Sequence, residues 1–200
     1  MSCARYIGVD ESGSLTDRIY RICIVAAAGS DDVFDTRRTH LERQKKLYAP
    51  EELEDGLNYR YIVLTPELLE AARDAYQFPT TRIEESWNGK LPEFKMRSDA
   101  ISSLLKEFGF DTGESIAYVD SYCRCVHLRD LVAHSLGRIE GQQIDPKSIK
   151  CSTGADIKIP LVKKADDIAY SLRHYLLEQG REFPEKRVNF TADDLLRPAA

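Results

Sequence analysis

Residues 7–15 read Ile-Gly-Val-Asp-Glu-Ser-Gly-Ser-Leu (IGVDESGSL), and the fold turns on how this stretch is read. The segment 4–9, ARYIGV, predicts a first strand, and it delivers two adjacent acids, Asp10 and Glu11, to its end before a Ser-Gly turn. Neighbouring like charges at ~4 Å and an effective dielectric of about 20 repel by on the order of 4 kcal/mol. Either this strand end is open to water, or a cation sits there.

Working outward, IYRICIVAAAG (19–29) predicts a second strand, joined to the first by a short Gly-containing turn, hence an antiparallel hairpin. NYRYIVL (58–64), SIAYVDS (115–121) and SIKCST (148–153) predict three more strands. Helices are expected over 33–48, with Leu41 and Leu47 as apolar anchors, and over 98–108, 126–138 and 161–179. A further helix is expected from Pro66 to about Tyr76, with Thr65 as N-cap and Pro66 at the first helical position. Residues 77–95 carry two prolines, Gly89 and the only tryptophan, and predict an irregular loop. A hairpin followed by strands alternating with helices implies an α/β fold with a mixed five-stranded sheet flanked by helices. The expected organisation is one domain over 1–190, with 31–95 as an elaborated, substrate-selecting region and 191–200 as a polar tail.

Acids recur at element ends. Asp120 closes the fourth strand (IAYVD), Asp156 lies in the loop after the fifth, and Asp166 and Asp167 open the last helix. If strands one and four are neighbours, Asp10 and Asp120 reach the same sheet edge. Hard divalent cations take oxygen ligands, so Mg2+ or Mn2+ is the expected cofactor of such a cluster. Two such ions about 3.5–4 Å apart suit phosphodiester hydrolysis. The same acids also fit solvated turns, and Asp166 and Asp167 fit a helix N-terminus, whose dipole favours acids.

The chain has 200 residues and a net charge of −5, which excludes a global basic field but not a local basic patch. Arg37-Arg38 and Arg43-x-Lys45-Lys46 form the most basic stretch, which could track a phosphate backbone. Trp87, Tyr76 and Phe78 could stack on bases or pack locally. No stretch approaches the roughly 18–20 apolar residues of a membrane span. The five cysteines include one Cys123-x-Cys125 pair without a second pair, which argues for free thiols and a cytoplasmic protein rather than a zinc site.

The segment YIGVDESGSL resembles the N-terminal motif of ribonuclease HII, in which a strand ends in Gly-x-Asp-Glu-x-Gly. It is closer still to a broad group of RNase H-like proteins that begin with a strand and Asp-Glu-Ser-Gly. IAYVDS resembles the central strand carrying the third acid in both, and LPEFKMRS resembles the Glu-x-Lys stretch of the second group. GADIKIPLVKKADDIAYSLRH is similar to the last motif of both, in two registers. Aligned with ribonuclease HII, Ala155-Asp156, Lys158, Pro160, Val162 and Arg173 match and Asp156 is the fourth ligand; aligned with the other group, KADDIAYSLR matches and Asp166 is.

The resemblance implies an RNase H-like fold and a divalent-metal-dependent nuclease, with a ribonuclease acting on RNA or an RNA–DNA hybrid as the specific expectation. Asp10, Glu11, Asp120 and Asp166 are then catalytic, with Asp156 as an additional metal ligand. Ser12, Gly13, Lys95, Lys158 and Lys163 are then candidates for substrate phosphate, and nucleic acid is the partner. Ribonuclease HII carries Gly-Arg-Gly after its acid pair to read a ribose 2′-hydroxyl, whereas Ser12-Gly13-Ser14 stands here. That departure keeps open a catalytically inactive nucleic-acid- or partner-binding module.

Overall fold

A computed structural model describes residues 4–15, 19–37, 44–76, 91–121 and 125–195. Five strands form one sheet: β1 (Tyr6–Ser14), β2 (Ile22–Ser30), β3 (Tyr59–Leu64), β4 (Ile116–Asp120) and β5 (Ile149–Ser152), in the order β3-β2-β1-β4-β5. The hairpin half is antiparallel, with Val9 opposite Ala27 and Val25 opposite Ile62. The other half is parallel, with Val9 beside Val119 and Val119 beside Cys151. The central strand β1 is apolar on both faces because each face is covered. Ile7 and Val9 point into a core shared with α1 (Pro66–Ala75), α2 (Leu91–Glu107) and α3 (Cys125–Glu140). Tyr6, together with Ile24 and Ala26 of β2, points into a second core under α4 (Pro160–Gln179).

Gly8 makes the close approach of α4 possible. A Cβ at Gly8 would lie 2.7 Å from the Val162 nitrogen and overlap the Leu161 carbonyl, so the helix backbone rests on this strand backbone. Helix α4 also anchors the segment before Ala49. Three side chains at one-turn intervals hold its backbone: the Lys46 N–H donates to Asp167 Oδ1 (2.9 Å) and the Tyr48 N–H to Ser171 Oγ (3.0 Å). The Tyr175 hydroxyl donates to the Tyr48 carbonyl at 2.9 Å.

This segment departs from the helix expected over 33–48. A 3-10 turn occupies Val33–Thr36 and residues 45–49 are non-helical, while 38–43 lie outside the described residues. The charged run has no apolar stripe to bury, and Leu47 remains exposed. At Lys46 and Tyr48 the backbone is hydrogen-bonded by α4 side chains instead.

Helix α2 begins at Leu91, seven residues before the expected Ser98, and so includes much of the predicted loop. Its first half is rich in charge yet buried, because Glu93 pairs with Arg97 and Lys95 with Asp99 at i,i+4 spacing. Residues 77–90, including Trp87 and Phe78, lie outside the described residues. Residues 31–95 contain β3 and α1, which belong to the sheet and its cover. Nor is the C-terminal segment wholly peripheral: Phe190 and Leu195 are buried in the core with α1 and α2. No described helix is long and apolar enough to cross a membrane.

Candidate metal centre

Side-chain alternation sets the site. Along β1, Tyr6, Gly8 and Asp10 face α4, while Ile7, Val9 and Glu11 face α2. Along β4, Tyr118 packs with the α4-side core and Val119 with the other, so Asp120 shares the α4 face. Since Val9 pairs with Val119, the next residues, Asp10 in the middle of β1 and Asp120 at the end of β4, come side by side where the parallel pairing stops. Asp166, in the second turn of α4, descends onto the same spot, and the loop after β5 brings Asp156. Carboxylate oxygens of Asp10, Asp156 and Asp166 lie within 4.8 Å of one another, close enough to hold one metal ion. Both residues singled out for the last ligand position are therefore at the site.

The electrostatics match a cluster built for positive charge. Burial raises the Asp10 carboxyl well above the ordinary value of 3.8, and Asp166, Asp120 and Asp156 raise it further. Burial likewise raises Asp120, against the pull of a 2.7 Å hydrogen bond from the Ala155 N–H. Burial raises Asp166 too, opposed by Lys45, whose ammonium bonds its Oδ1. The other oxygen, Oδ2, is buried and accepts no hydrogen bond among the described residues; the Lys163 ammonium stands 4.0 Å away. A buried, orphaned oxygen on a carboxylate that clusters with two further acids fits a hard cation bound there.

Glu11 takes a different direction from its neighbour. Its carboxylate pairs with Arg97 of α2, which also holds Glu93 Oε1 at 2.7 Å. The two acids are adjacent in sequence but face opposite layers, and a guanidinium neutralises the second. Lys95, expected near phosphate, is engaged elsewhere: it is buried, and its ammonium pairs with Asp99 and donates to Ser135 Oγ at 3.1 Å. The Lys158 Nζ donates to the Thr153 carbonyl at 3.0 Å and closes the loop that carries Asp156. Lys163 pairs with Asp167 at the edge of the cluster. Ser12 and Gly13 end β1 opposite Ile24 and Cys23; Gly13 has φ +102°, and a Cβ there would lie 2.9 Å from Arg173 Nε.

Sequence reasoning missed Lys45 as a partner of the acids and the Asp167–Ser171–Tyr175 ladder that delivers it. The signal was present as acceptors at i, i+4 and i+8 on one face of the last helix, but their partner segment lies some 120 residues upstream.

The mixed five-stranded sheet, its strand order and its flanking helices define an RNase H-like fold. The sequence matches no protein-family model and no curated protein. Among solved structures, the chain is similar to ribonuclease HII in the PCNA complex from Archaeoglobus fulgidus, with TM-score 0.53 and 19% identity over 87% of this chain and 74% of that one. It is also similar to a point mutant of Bst-RNase HIII, with TM-score 0.51 and 16% identity. That match covers 89% of this chain but only 53% of the other, about half its length.

Proposed function

We propose that this protein is a divalent-metal-dependent nuclease of the RNase H type, acting on RNA or an RNA–DNA hybrid. The observation that carries the reading is the convergence of Asp10, Asp156 and Asp166 from three separate segments, with Asp166 Oδ2 buried and without a hydrogen bond. Asp120, beside Asp10, completes the set. Two Mg2+ or Mn2+ ions bound there would supply a water of lowered pKa and charge to stabilise the leaving 3′ oxygen. The chain's own contribution is positional. β1 and β4 fix Asp10 and Asp120 on a rigid sheet, and α4 and the Lys158-closed loop fix Asp166 and Asp156. Lys163 and the Ser12-Gly13 backbone border the cluster and are the proposed contacts for substrate phosphate. Residues 31–95 are the proposed source of substrate choice.

The test combines Mn2+ calorimetry with cleavage assays on hybrid, RNA and single-stranded DNA, comparing wild type with Asp10→Asn and Asp120→Asn. Metal binding and cleavage lost together in both variants is the expected result. Wild type that fails to bind millimolar Mn2+, alone and with substrate present, sinks the reading.

A second reading is a binding module without turnover. Capture of Glu11 by Arg97 favours it, because one acid of the motif is neutralised on the opposite face. Metal and hybrid binding without cleavage would select this reading.

A further inference from the structure

The cluster already contains a cation supplied by the chain. Lys45 reaches across from the segment before Ala49, and its ammonium sits on Asp166 Oδ1. The same carboxylate clusters with those of Asp10 and Asp156, and its Oδ2 is buried without a hydrogen bond among the described residues. The positioning is built rather than incidental. Lys46 and Tyr48, on the C-terminal side of Lys45, are held through their backbones by Asp167, Ser171 and Tyr175. The Lys45 side chain, by contrast, is 44% exposed, while that of Asp166 is 3% exposed. One end of the pair is fixed and dry; the other is a flexible stem with an open route to solvent. Lys163 lacks that freedom, being 11% exposed and paired with Asp167.

A single ammonium cannot balance four carboxylates. A divalent ion supplies more charge to the same oxygens. From this geometry we propose that Lys45 is a tethered placeholder cation: it occupies Asp166 until a divalent metal displaces it, and its side chain then swings out while the Lys46–Tyr48 backbone stays clamped. The inference rests on the metal-centre reading above. The placeholder lets four carboxylates pack together in the metal-free protein, and it sets a threshold for metal loading.

Amine-selective labelling with peptide mass spectrometry reads the exchange directly on the wild-type chain. Saturating Mn2+ at pH 8 should raise Lys45 modification several-fold and leave Lys163 modification unchanged. In parallel, calorimetry should show Lys45→Met binding Mn2+ roughly tenfold more tightly than wild type. Metal that binds without raising Lys45 reactivity overturns the placeholder role and leaves the metal centre standing. Metal that binds neither wild type nor Lys45→Met overturns both readings. Lys45→Met that binds Mn2+ no more tightly than wild type also overturns the placeholder role.

Discussion

Arg97 is the residue whose loss the structure makes most costly. It lies between Glu11 and Glu93, 6% exposed, so removing it leaves two carboxylates facing each other without a counter-charge. Arg97→Ala should destabilise the protein by about 3–5 kcal/mol, as expected for breaking a buried pair. Adding Glu93→Gln should recover part of that loss. Urea unfolding of the single and double variants checks both; a single-variant loss below about 1 kcal/mol would mean that Glu11 finds water instead. Gly8 is the second such position. Its missing Cβ is the space through which α4 touches β1, so Gly8→Ala should cost at least the 1–3 kcal/mol typical of overpacking and lower metal affinity with it. A stable Gly8→Ala protein with unaltered Mn2+ affinity would show that α4 can move without disturbing Asp166. At this scale the sequence was half legible. Asp10, Asp120, Asp156 and Asp166 stand out because apolar strands or a helix start frame them. The separation of Asp10 from Glu11 follows from strand alternation alone, yet the shared charge of the pair invites a shared ligand.

At the scale of elements, hydrophobic periodicity found four of the strands within a few residues, because each is a short apolar run. Strand β1, however, continues past the expected 4–9 through Asp10–Ser14, where pairing with β2 replaces the expected Ser-Gly turn. Helix α2 was harder. Its charges read as solvent-facing, but they neutralise one another in i,i+4 pairs, and the helix can therefore be buried. The segment before Ala49 misled in the opposite way, since its charges look helical and its real partners lie on α4. That anchoring makes its own prediction. Ser171→Ala removes an acceptor for the Tyr48 N–H and should cost about 1 kcal/mol. Hydrogen exchange at Tyr48 should accelerate while that of β1 amides stays slow. Equal acceleration in β1 would mean that the segment and the sheet open as one unit.

At the scale of the molecule, the acid cluster should dominate the pH dependence of stability. The folded-state Asp10 carboxyl is raised above the unfolded value of 3.8 by burial and by its acidic neighbours. In the interval between the two values the folded chain holds a proton that the unfolded chain has released. Stability therefore falls as pH climbs through that interval, and the full penalty persists above it. Asp120 and Asp166 act in the same direction. Asp10→Asn cannot ionise, so metal-free wild type should lose Tm relative to Asp10→Asn as pH rises from about 4 to 8. Added Mn2+ should reverse the difference at pH 8, since it binds the ionised acids. A wild-type-minus-variant difference that stays flat across this range would mean Asp10 titrates normally.

The pairing of β1 with β4 joins residues more than a hundred positions apart, and the last helix closes over both. A growing polypeptide thus receives Asp10 first, Asp120 more than a hundred residues later, and Asp156 and Asp166 last of the four. Contacts so distant along the chain form late and slowly. The carboxylates cannot gather around any ion until the last helix has joined the sheet, so the acids stay apart through much of the growth of the chain. Temporal separation of this kind is written into the order of the strands.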